Sequence, residues 1–188
     1  MSNAADSLPA RIERLESLHA IQQLAIRYAI AVDSRDLDAW VSLFVDDVNC
    51  GSHGKGRDAL RGFIAPLLRD FYRSIHLICG HEIDLTGPDT ARGKVYCRAE
   101  HEDDTQWIVM AICYFDSYTR RDGNWYFVRR NERHWYAADT RDHPMHPQTP
   151  WPPAAGRPAA LPHAFASWTP FWAHTDPAIV QRLTRQPV

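Results

Sequence analysis

The first third of the chain carries apolar side chains at spacings of three and four residues, the period of an amphipathic helix. One such stripe predicts a long helix over residues 8–32. Asp36 is placed to cap a second, short helix over residues 37–44, because its carboxylate can accept the free N–H groups of the first turn. A third helical pattern covers residues 56–71, in which Pro66 predicts a kink or an end.

From residue 73 onward the apolar period changes to two, which predicts strands. Asp122-Gly123 marks a hairpin, because such a tight turn requires positive φ angles. Helices followed by a meander of long antiparallel strands form an α+β arrangement, in which the helices cover one face of a strongly curved sheet. Four segments show the period-two pattern of strands, at residues 74–85, 91–101, 106–121 and 124–136.

The last fifty residues have a different character, since they hold most of the chain's 13 prolines and show no period. Their aromatic side chains argue against a free disordered tail. We expect a domain over residues 8–137 and an irregular proline-rich arm over 138–188, with a short helix near 176–183. The arm either covers the pocket as a lid or docks on a neighbouring subunit. Its aromatic residues are Trp151, Phe165, Trp168, Phe171 and Trp172.

Composition restricts the function classes. A formal net charge of −2 gives no basic field for nucleic acid or an anionic membrane, and no apolar run approaches a membrane span. The N-terminus lacks a basic stretch followed by an apolar one, so we expect a cytoplasmic protein. Its four cysteines contain no CxxC pair, which argues against a zinc ribbon and predicts buried, reduced thiols.

The strand predicted over residues 91–101 separates its two faces cleanly. One face is mostly polar, whereas the other carries Val95, Cys97 and Ala99 before it ends in His101. Alternation of this kind fixes which side chains point inward. We therefore expect His101 to point into the interior, where it either takes part in chemistry or bonds a backbone carbonyl.

A second histidine, His76, lies in a strand whose two faces are both apolar, which suits a strand covered on both sides. A polar ring buried there must find a partner, and an aspartate would fix its tautomer and raise its basicity. Asp33 follows the apolar stripe of the first helix, although Asp36 already serves as the cap. Two interpretations stay open for Asp33: a solvated helix-end carboxylate, or the partner of a buried imidazole.

Metal and phosphate sites find little support in the sequence. His143 and His146 form an HxxH spacing in a proline-rich segment, while His76 and His81 are expected on opposite faces of one strand. Neither pair completes a ligand set. No GxSxG, P-loop or GxGxxG motif occurs, so we expect neither a metal nor a cofactor.

Three segments together carry a family resemblance: YAIAVDSRDLDAWVSLFVDD, SIHLICG and YFDSYTRRDGNWYF. Over about residues 10–137 the chain resembles the SnoaL-like branch of the nuclear transport factor 2-like superfamily, which includes scytalone dehydratase, hexachlorocyclohexane dehydrochlorinase and bile-acid 7α-dehydratase. The resemblance implies a cone-shaped α+β barrel, with N-terminal helices packed on a curved, mostly antiparallel sheet around a deep pocket. It also implies a homo-oligomer, either a dimer or a trimer.

The same resemblance implies site residues. The family's Asp–His pair matches Asp33 and His76, a second histidine matches His101, and a tyrosine five residues before the aspartate matches Tyr28. The chain departs from the dehydratase pattern at Val32, where that pattern has a tyrosine. A second tyrosine of that pattern is missing near residues 50–52, where His53 is a loose substitute.

These residues together imply a cofactor-independent lyase or isomerase, of the dehydratase type, acting on a hydrophobic cyclic small molecule. His76 would act as the general base, Asp33 would orient it, and His101 or Tyr28 would bond the leaving hydroxyl or the developing enolate. We expect the substrate-binding wall to contain Trp40, Phe44, His53, Phe63, Leu67, Val109, Tyr114 and Trp135.

The alternative is a non-catalytic module that binds a small molecule or serves assembly, such as a protein like a dioxygenase β-subunit, because fold does not settle function. A binding protein would keep the pocket but separate Asp33 from His76, whereas a β-subunit would fill the pocket with side chains. Arg129, Arg130 and Arg133 alternate along the last strand, so one of them could enter the pocket and select a carboxylate, or all three could face solvent.

Overall fold

The computed structural model describes residues 7–103, 106–142, 160–161, 163–173 and 176–178. Its helices are α1 (Leu8–Asp33), α2 (Leu37–Ser42), α3 (Arg57–Leu67) and α4 (Trp168–Trp172), with a 3-10 turn at Gly51–His53. Its strands are β1 (Ser74–Gly87), β2 (Thr90–Asp103), β3 (Gln106–Arg121) and β4 (Asn124–Asp139).

The main elements expected from the sequence are confirmed. Asp36 caps α2 by accepting a 2.9 Å hydrogen bond from the backbone N–H of Ala39. Helix α3 ends at Leu67, directly after Pro66. The hairpin between β3 and β4 turns at Asp122 and Gly123, whose φ angles are 50° and 78°.

The four strands form one antiparallel sheet in the order β1-β2-β3-β4, and helices α1 to α3 cover its concave face. The inner rows of β2 and β3 are apolar and buried. The segment after α2 fixes the outer strand β4, because Phe127 donates to the Leu43 carbonyl at 2.9 Å and accepts from the Val45 N–H at 3.0 Å. The α+β architecture predicted from the sequence is therefore confirmed. The inner rows comprise Val95, Cys97, Ala99, Ile108, Met110, Ile112 and Tyr114.

Strand β1 differs from its prediction. The expected covering of both faces is wrong, since the outer-face side chains of Ile75 and Leu77 are 45% and 44% exposed. Cys79, expected to be buried, is also exposed. A bulge between Ile78 and Gly80 shifts the register by one residue, so His81 lies on the same inner face as His76 rather than on the opposite one.

The described part of the C-terminal arm packs on the outer face of its own sheet. Leu161 is buried, and its N–H donates to the His134 carbonyl at 2.9 Å. The ring of Phe165 lies 5.6 Å from that of Phe115 and 6.0 Å from that of Trp135. This part of the arm is therefore not a lid over the concave face. Trp151 and most of the predicted helix near 176–183 lie outside the described residues.

Among the residues that the structure describes, none of the helices has the length and apolar character needed to cross a membrane.

Gly93 lies on the inner face of β2, where space is restricted. A Cβ atom there would come within 2.8 Å of the Glu82 carbonyl oxygen, 3.0 Å of His81 Nε2 and 3.1 Å of Tyr118 Cε2. Real Cβ atoms do not approach a backbone carbonyl this closely. The glycine therefore allows the His81 and Tyr118 side chains to meet beneath the helices.

We expect Gly93→Ala to lower the free energy of unfolding by about 1–3 kcal/mol, because the new methyl group forces β1 and β2 apart. Gly80→Ala is the matched control on the neighbouring strand, where a Cβ would meet nothing within 4 Å. Urea denaturation of both variants measures the difference. Equal stabilities would contradict the packing described for Gly93.

Candidate active site

A cavity of about 670 Å³ lies between the helices and the concave face of the sheet. Aromatic and aliphatic side chains from α1, α2, α3 and β3 make up most of its wall. The imidazoles of His76 and His101 and the charged residues Arg129, Arg130 and Glu132 are among the groups that interrupt the apolar surface. Such a cavity, with few convergent polar groups, is the usual form of a small-molecule site.

Asp33 binds the beginning of β1 through three hydrogen bonds. Its Oδ1 accepts from Ser74 Oγ at 2.8 Å and contacts His76 Nδ1 at 2.8 Å, and its Oδ2 accepts from the His76 backbone N–H at 2.8 Å. The His76 side chain is only 8% exposed and that of Asp33 22%. The carboxylate at the end of α1 therefore fixes both the backbone and the ring of His76.

The hydrogen bonds on Asp33 also fix its charge. Burial alone would raise the pKa of Asp33, but hydrogen bonds and charge from His76 and the hydroxyl of Ser74 outweigh it and lower that pKa. Because the carboxylate is ionised and can only accept, His76 Nδ1 carries the proton in this contact. The lone pair of the neutral ring is then on Nε2, the tautomer that a general base at this nitrogen requires.

His101 ends the inner row of β2 and is 4% exposed, so the prediction that it points inward is confirmed. Its ring centroid lies 5.6 Å from that of His76, with the two rings nearly perpendicular, and 4.5 Å from that of Phe71. Burial, with the neighbouring His76 charge, lowers the pKa of His101 to about 3. His101 is thus a neutral imidazole on the cavity wall.

Arg130 is the arginine of the three on β4 that turns inward. It forms a forked ion pair with Asp116, with Nε–Oδ1 at 3.0 Å and Nη2–Oδ2 at 2.6 Å, and the two side chains are only 3% and 0% exposed. Burial alone would lower the pKa of Arg130, but the Asp116 carboxylate raises it. Within the described residues, its third nitrogen, Nη1, has no hydrogen-bond partner.

Aromatic rings surround the Arg130 guanidinium. Its Cζ atom lies 4.3 Å from the ring centroid of Tyr28, 4.2 Å from that of Tyr114 and 4.4 Å from that of Phe127. Cations are favoured over aromatic faces, particularly where water is excluded. Burial raises the pKa of Tyr28 to about 12 and that of Tyr114 well above its ordinary value, so both phenols stay neutral donors.

A second layer of side chains lies behind this ion pair. Tyr118 donates to Asp116 Oδ2 at 2.8 Å, and His81 Nε2 lies 3.0 Å from the same phenol oxygen. Because Tyr118 gives its only proton to Asp116, His81 Nε2 must donate to it. Burial lowers the pKa of His81 to about 4, which keeps this imidazole neutral.

Most of the predicted wall residues line the cavity: Trp40, Phe44, Phe63, Leu67 and Tyr114. Of the predicted catalytic residues, Tyr28, His76 and His101 also line it, and Asp33 lies behind His76. Three predicted wall residues are corrections. His53 is exposed and packs against the ring of Phe63, 4.9 Å away. Val109 and Trp135 lie on the outer face of the sheet, where Trp135 contacts Tyr96 and Phe165.

Some residues of the site were not predicted. Asp116 occupies the apolar inner row of β3, between Tyr114 and Tyr118, and that position was a detectable signal, as it was for His101. Which of the three arginines on β4 turns inward depends on the register of that strand against β3. A bulge near Tyr118 shifts this register, so the sequence alone did not single out Arg130. Ser74 gave no signal in the sequence.

The sequence also matches a known domain family. The SnoaL-like domain family matches residues 13–131, which cover α1 to α3 and most of the sheet. This chain belongs to the SnoaL-like domain family. The resemblance found in the sequence is therefore confirmed, and the fold is that of the nuclear transport factor 2-like superfamily.

Individual SnoaL-like relatives are enzymes by name. Gamma-hexachlorocyclohexane dehydrochlorinase from Sphingobium indicum is 29% identical over 130 residues, covering 64% of this chain and 81% of that enzyme. Hexachlorocyclohexane dehydrochlorinase from Novosphingobium barchaimii has a crystal structure that matches with a TM-score of 0.63 and 25% identity, over 73% of this chain and 99% of that chain. Dehydrochlorinases are lyase-type enzymes.

A third similarity concerns the fold alone. A scytalone dehydratase-like protein from Novosphingobium aromaticivorans matches with a TM-score of 0.61 at 23% identity, over 71% of this chain and 94% of that chain.

Within the described residues of this SnoaL-like chain, no group of three or more His, Cys, Asp or Glu side chains is placed to hold an ion. His143 and His146 lie outside the described residues.

We expect the His101 ring to stay neutral in the folded protein until the pH approaches 3. Since this pKa lies below the ordinary value of about 6.5, the stabilising effect of the neutral ring is complete above pH 6.5 and is lost as the pH falls toward 3. Two-dimensional NMR of the imidazole nitrogens measures the titration. The urea-unfolded chain is the control, and imidazolium signals from His101 in the folded protein at pH 5.5 would contradict the assignment.

We expect Asp116→Asn to lower the free energy of unfolding by about 3–5 kcal/mol, because it leaves the buried Arg130 charge without its partner. Asp47→Asn is the matched control: it breaks the 2.7 Å contact with Arg121 on the exposed surface, where no measurable loss is expected. Thermal and urea unfolding compare the two variants. Equal effects would show that the Arg130 ion pair is open to solvent.

Proposed function

We propose that this SnoaL-like protein is a cofactor-independent lyase. It removes a proton and a leaving group from neighbouring carbons of a neutral, ring-containing small molecule. The observation that carries the proposal is the 2.8 Å contact between Asp33 and His76 on the wall of an open apolar cavity. The dehydrochlorinases among its relatives support elimination as the reaction type.

In the first step, Nε2 of His76 takes a proton from a substrate carbon. The electron pair of that C–H bond forms the new double bond, and the leaving group departs with its own bonding pair. Asp33 stabilises the imidazolium that forms and keeps the ring in the reactive tautomer. A positioned base of this kind contributes typically about 10²–10⁴-fold, and the enclosed cavity supplies positioning.

The groups that receive the developing negative charge lie around Arg130. Its Nη1 has no partner within the described residues, and the neutral phenol of Tyr28 adjoins it on the cavity wall. Hydrogen-bond donors that are already oriented stabilise charge without reorganisation. The neutral imidazole of His101 offers a third polar contact, next to the base.

The balance of charges favours a neutral substrate. The Arg130 charge is compensated by Asp116, and the other two charged residues of the cavity lining, Arg129 and Glu132, are of opposite sign. A carboxylate substrate would leave Asp116 without full compensation. Arg130, the arginine that turns inward, would therefore orient a neutral group of the substrate rather than select an anionic substrate.

Three alternatives fit less well than elimination. A binding module was expected to separate Asp33 from His76, and a β-subunit to fill the cavity with side chains; the contact and the open volume oppose both. An isomerase would use the same base and return its proton to another carbon. The names of the relatives favour loss of a leaving group over this.

Self-association and domain organisation are also part of the proposal. A dimer or trimer would cover the outer-face side chains of Ile75, Leu77 and Tyr96, which are close to half exposed. Residues 8–137 would form the catalytic domain, and residues 138–188 an arm whose described part packs on the outer face of the sheet.

We expect His76→Gln to lower turnover by about 10²–10⁴-fold, because it removes the proton acceptor. Asp33→Asn should cause a comparable loss while the fold persists, since an amide can hold the ring in the wrong tautomer. Chloride release from γ-hexachlorocyclohexane and enone formation from a cyclic β-hydroxyketone are the two assays. His19→Gln, an exposed histidine on α1, is the control.

Two results would overturn the lyase proposal. One is undiminished turnover in both the His76 and Asp33 variants. The other is tight binding of cyclic ligands with neither elimination nor exchange of substrate C–H protons in D₂O, which would identify a binding module.

A further inference from the structure

The turn between α1 and α2 contains a residue in an uncommon backbone conformation. Arg35 has a φ of 60°, in the left-handed region that favours glycine. Asp122 is the other non-glycine residue with positive φ in the described part of the chain, and its hairpin turn requires it. At Arg35 the positive φ closes the C-terminal turn of α1, where the Arg35 N–H donates to the Val32 carbonyl at 3.1 Å and the Asp36 N–H donates to the Ala31 carbonyl at 2.9 Å. A glycine would suit this turn equally well, but only arginine brings a guanidinium to the beginning of β1.

The Arg35 guanidinium joins the end of α1 to the beginning of β1. Its Nη1 donates to the Val32 carbonyl at 2.7 Å and to Ser74 Oγ at 3.0 Å. Its Nη2 donates to the carbonyls of Phe71 and Tyr72 at 3.2 and 3.1 Å. Three of these four bonds connect segments that are about forty residues apart in sequence, and the planar fork of arginine suits them.

The hydrogen bonds through Ser74 can run in only one direction. Arginine has donors and no acceptor, so Ser74 Oγ accepts from Arg35 and must use its single proton elsewhere. Asp33 Oδ1, 2.8 Å away, receives that proton. The chain of donors therefore runs from Arg35 through Ser74 to the carboxylate that holds His76 Nδ1–H, and each bond polarises the next.

Arg35 also reaches the second imidazole. Its Cζ lies 4.8 Å from the ring centroid of Phe71, and the same ring packs edge-to-face against His101 at 4.5 Å. One guanidinium outside the cavity wall thus contacts a support of each histidine: Ser74, which bonds the Asp33 partner of His76, and Phe71, which packs against His101.

We propose that Arg35 and Ser74 are positioning residues for the reaction, and that they act as a clamp that holds the Asp33 carboxylate against His76. This inference rests on the proposed Asp33–His76 base. Neither residue lines the cavity, so neither is expected to touch the substrate. The clamp would fix the geometry and tautomer of His76 before substrate binds.

The pH dependence of the reaction reports on this clamp. The titratable and charged groups that act on the Asp33–His76 pair are Arg35 from the turn, with His101 and Cys97 from β2. The Ser74 hydrogen bond lowers the pKa of Asp33. Without it the carboxylate becomes more basic and stabilises the imidazolium more strongly, so the acid limb of kcat/KM moves to higher pH.

Three variants test the clamp. Ser74→Ala removes the relay alone, Arg35→Gly removes the guanidinium and relieves the positive φ, and Arg35→Lys keeps the charge without the fork. We expect kcat to fall by about 10- to 100-fold in Ser74→Ala and Arg35→Gly, the effect of losing a hydrogen bond to a charged group. KM should stay within about twofold, because neither residue lines the cavity. A tenfold rise in KM would mean that the free energy of the lost bond had gone into substrate binding rather than into the reaction step.

Arg35→Lys should restore part of the activity. Asp122→Gly, which relieves a positive φ far from the site, is the control and should leave both constants unchanged.

A measurement without substrate separates this inference from the proposed function. The His76 Nδ1–H proton should give a downfield NMR signal protected from exchange, and exchange should be faster in Ser74→Ala and Arg35→Gly than in the wild type. Faster exchange in the two variants would support the clamp whether or not the probe substrates are turned over, so the clamp and the lyase proposal can fail separately. Unchanged exchange and an unchanged pH profile, with only the melting temperature lowered, would overturn the clamp and leave Arg35 structural. A change in KM alone would overturn it as well.

Discussion

The contact on which the site depends is the carboxylate of Asp33 against the beginning of β1. Strand β1 is at the edge of the sheet, and Asp33 supplies an acceptor to the His76 backbone N–H as well as to its ring. An unpaired buried N–H is costly, so this bond stabilises the strand. The same bond fixes the distance between the ring and the carboxylate. One carboxylate therefore ends a helix, pairs the edge of a strand and orients an imidazole.

A second constraint is that the wall of the cavity contains a buried cation whose charge is compensated by a buried anion. Asp116 compensates Arg130, Tyr118 and His81 support Asp116, and Gly93 leaves the space in which they meet. Each member excludes water from the next, which strengthens the electrostatic interaction within the pair. Removing a partner is costly for the same reason, so this polar layer can orient a substrate group while it stays rigid.

Periodicity predicted the elements and the inward direction of His101 because both depend on local alternation. Its failures have the same physical origin. Val109 and Tyr114 are separated by an odd number of residues on a regular strand, so only one of them can face the cavity. The bulge near Cys79 places His81 on the inner face. A second bulge at Trp135 leaves this side chain on the outer face rather than in the cavity wall. Ser74 and Arg35 act through contacts between distant segments, which no local pattern contains.

The proton-abstracting half and the leaving-group half of the site have different origins. The pair of Asp33 and His76 is formed where the end of α1 meets the beginning of β1. In the proposed reaction the leaving group would instead meet Tyr28 on α1 and Arg130 on β4. Chloride can depart as an anion, whereas hydroxide requires a proton donor, and burial keeps the Tyr28 phenol protonated, with a pKa of about 12. A neutral phenol beside a compensated guanidinium can bond either leaving group, so the shape of the apolar wall, rather than the base, would select the substrate.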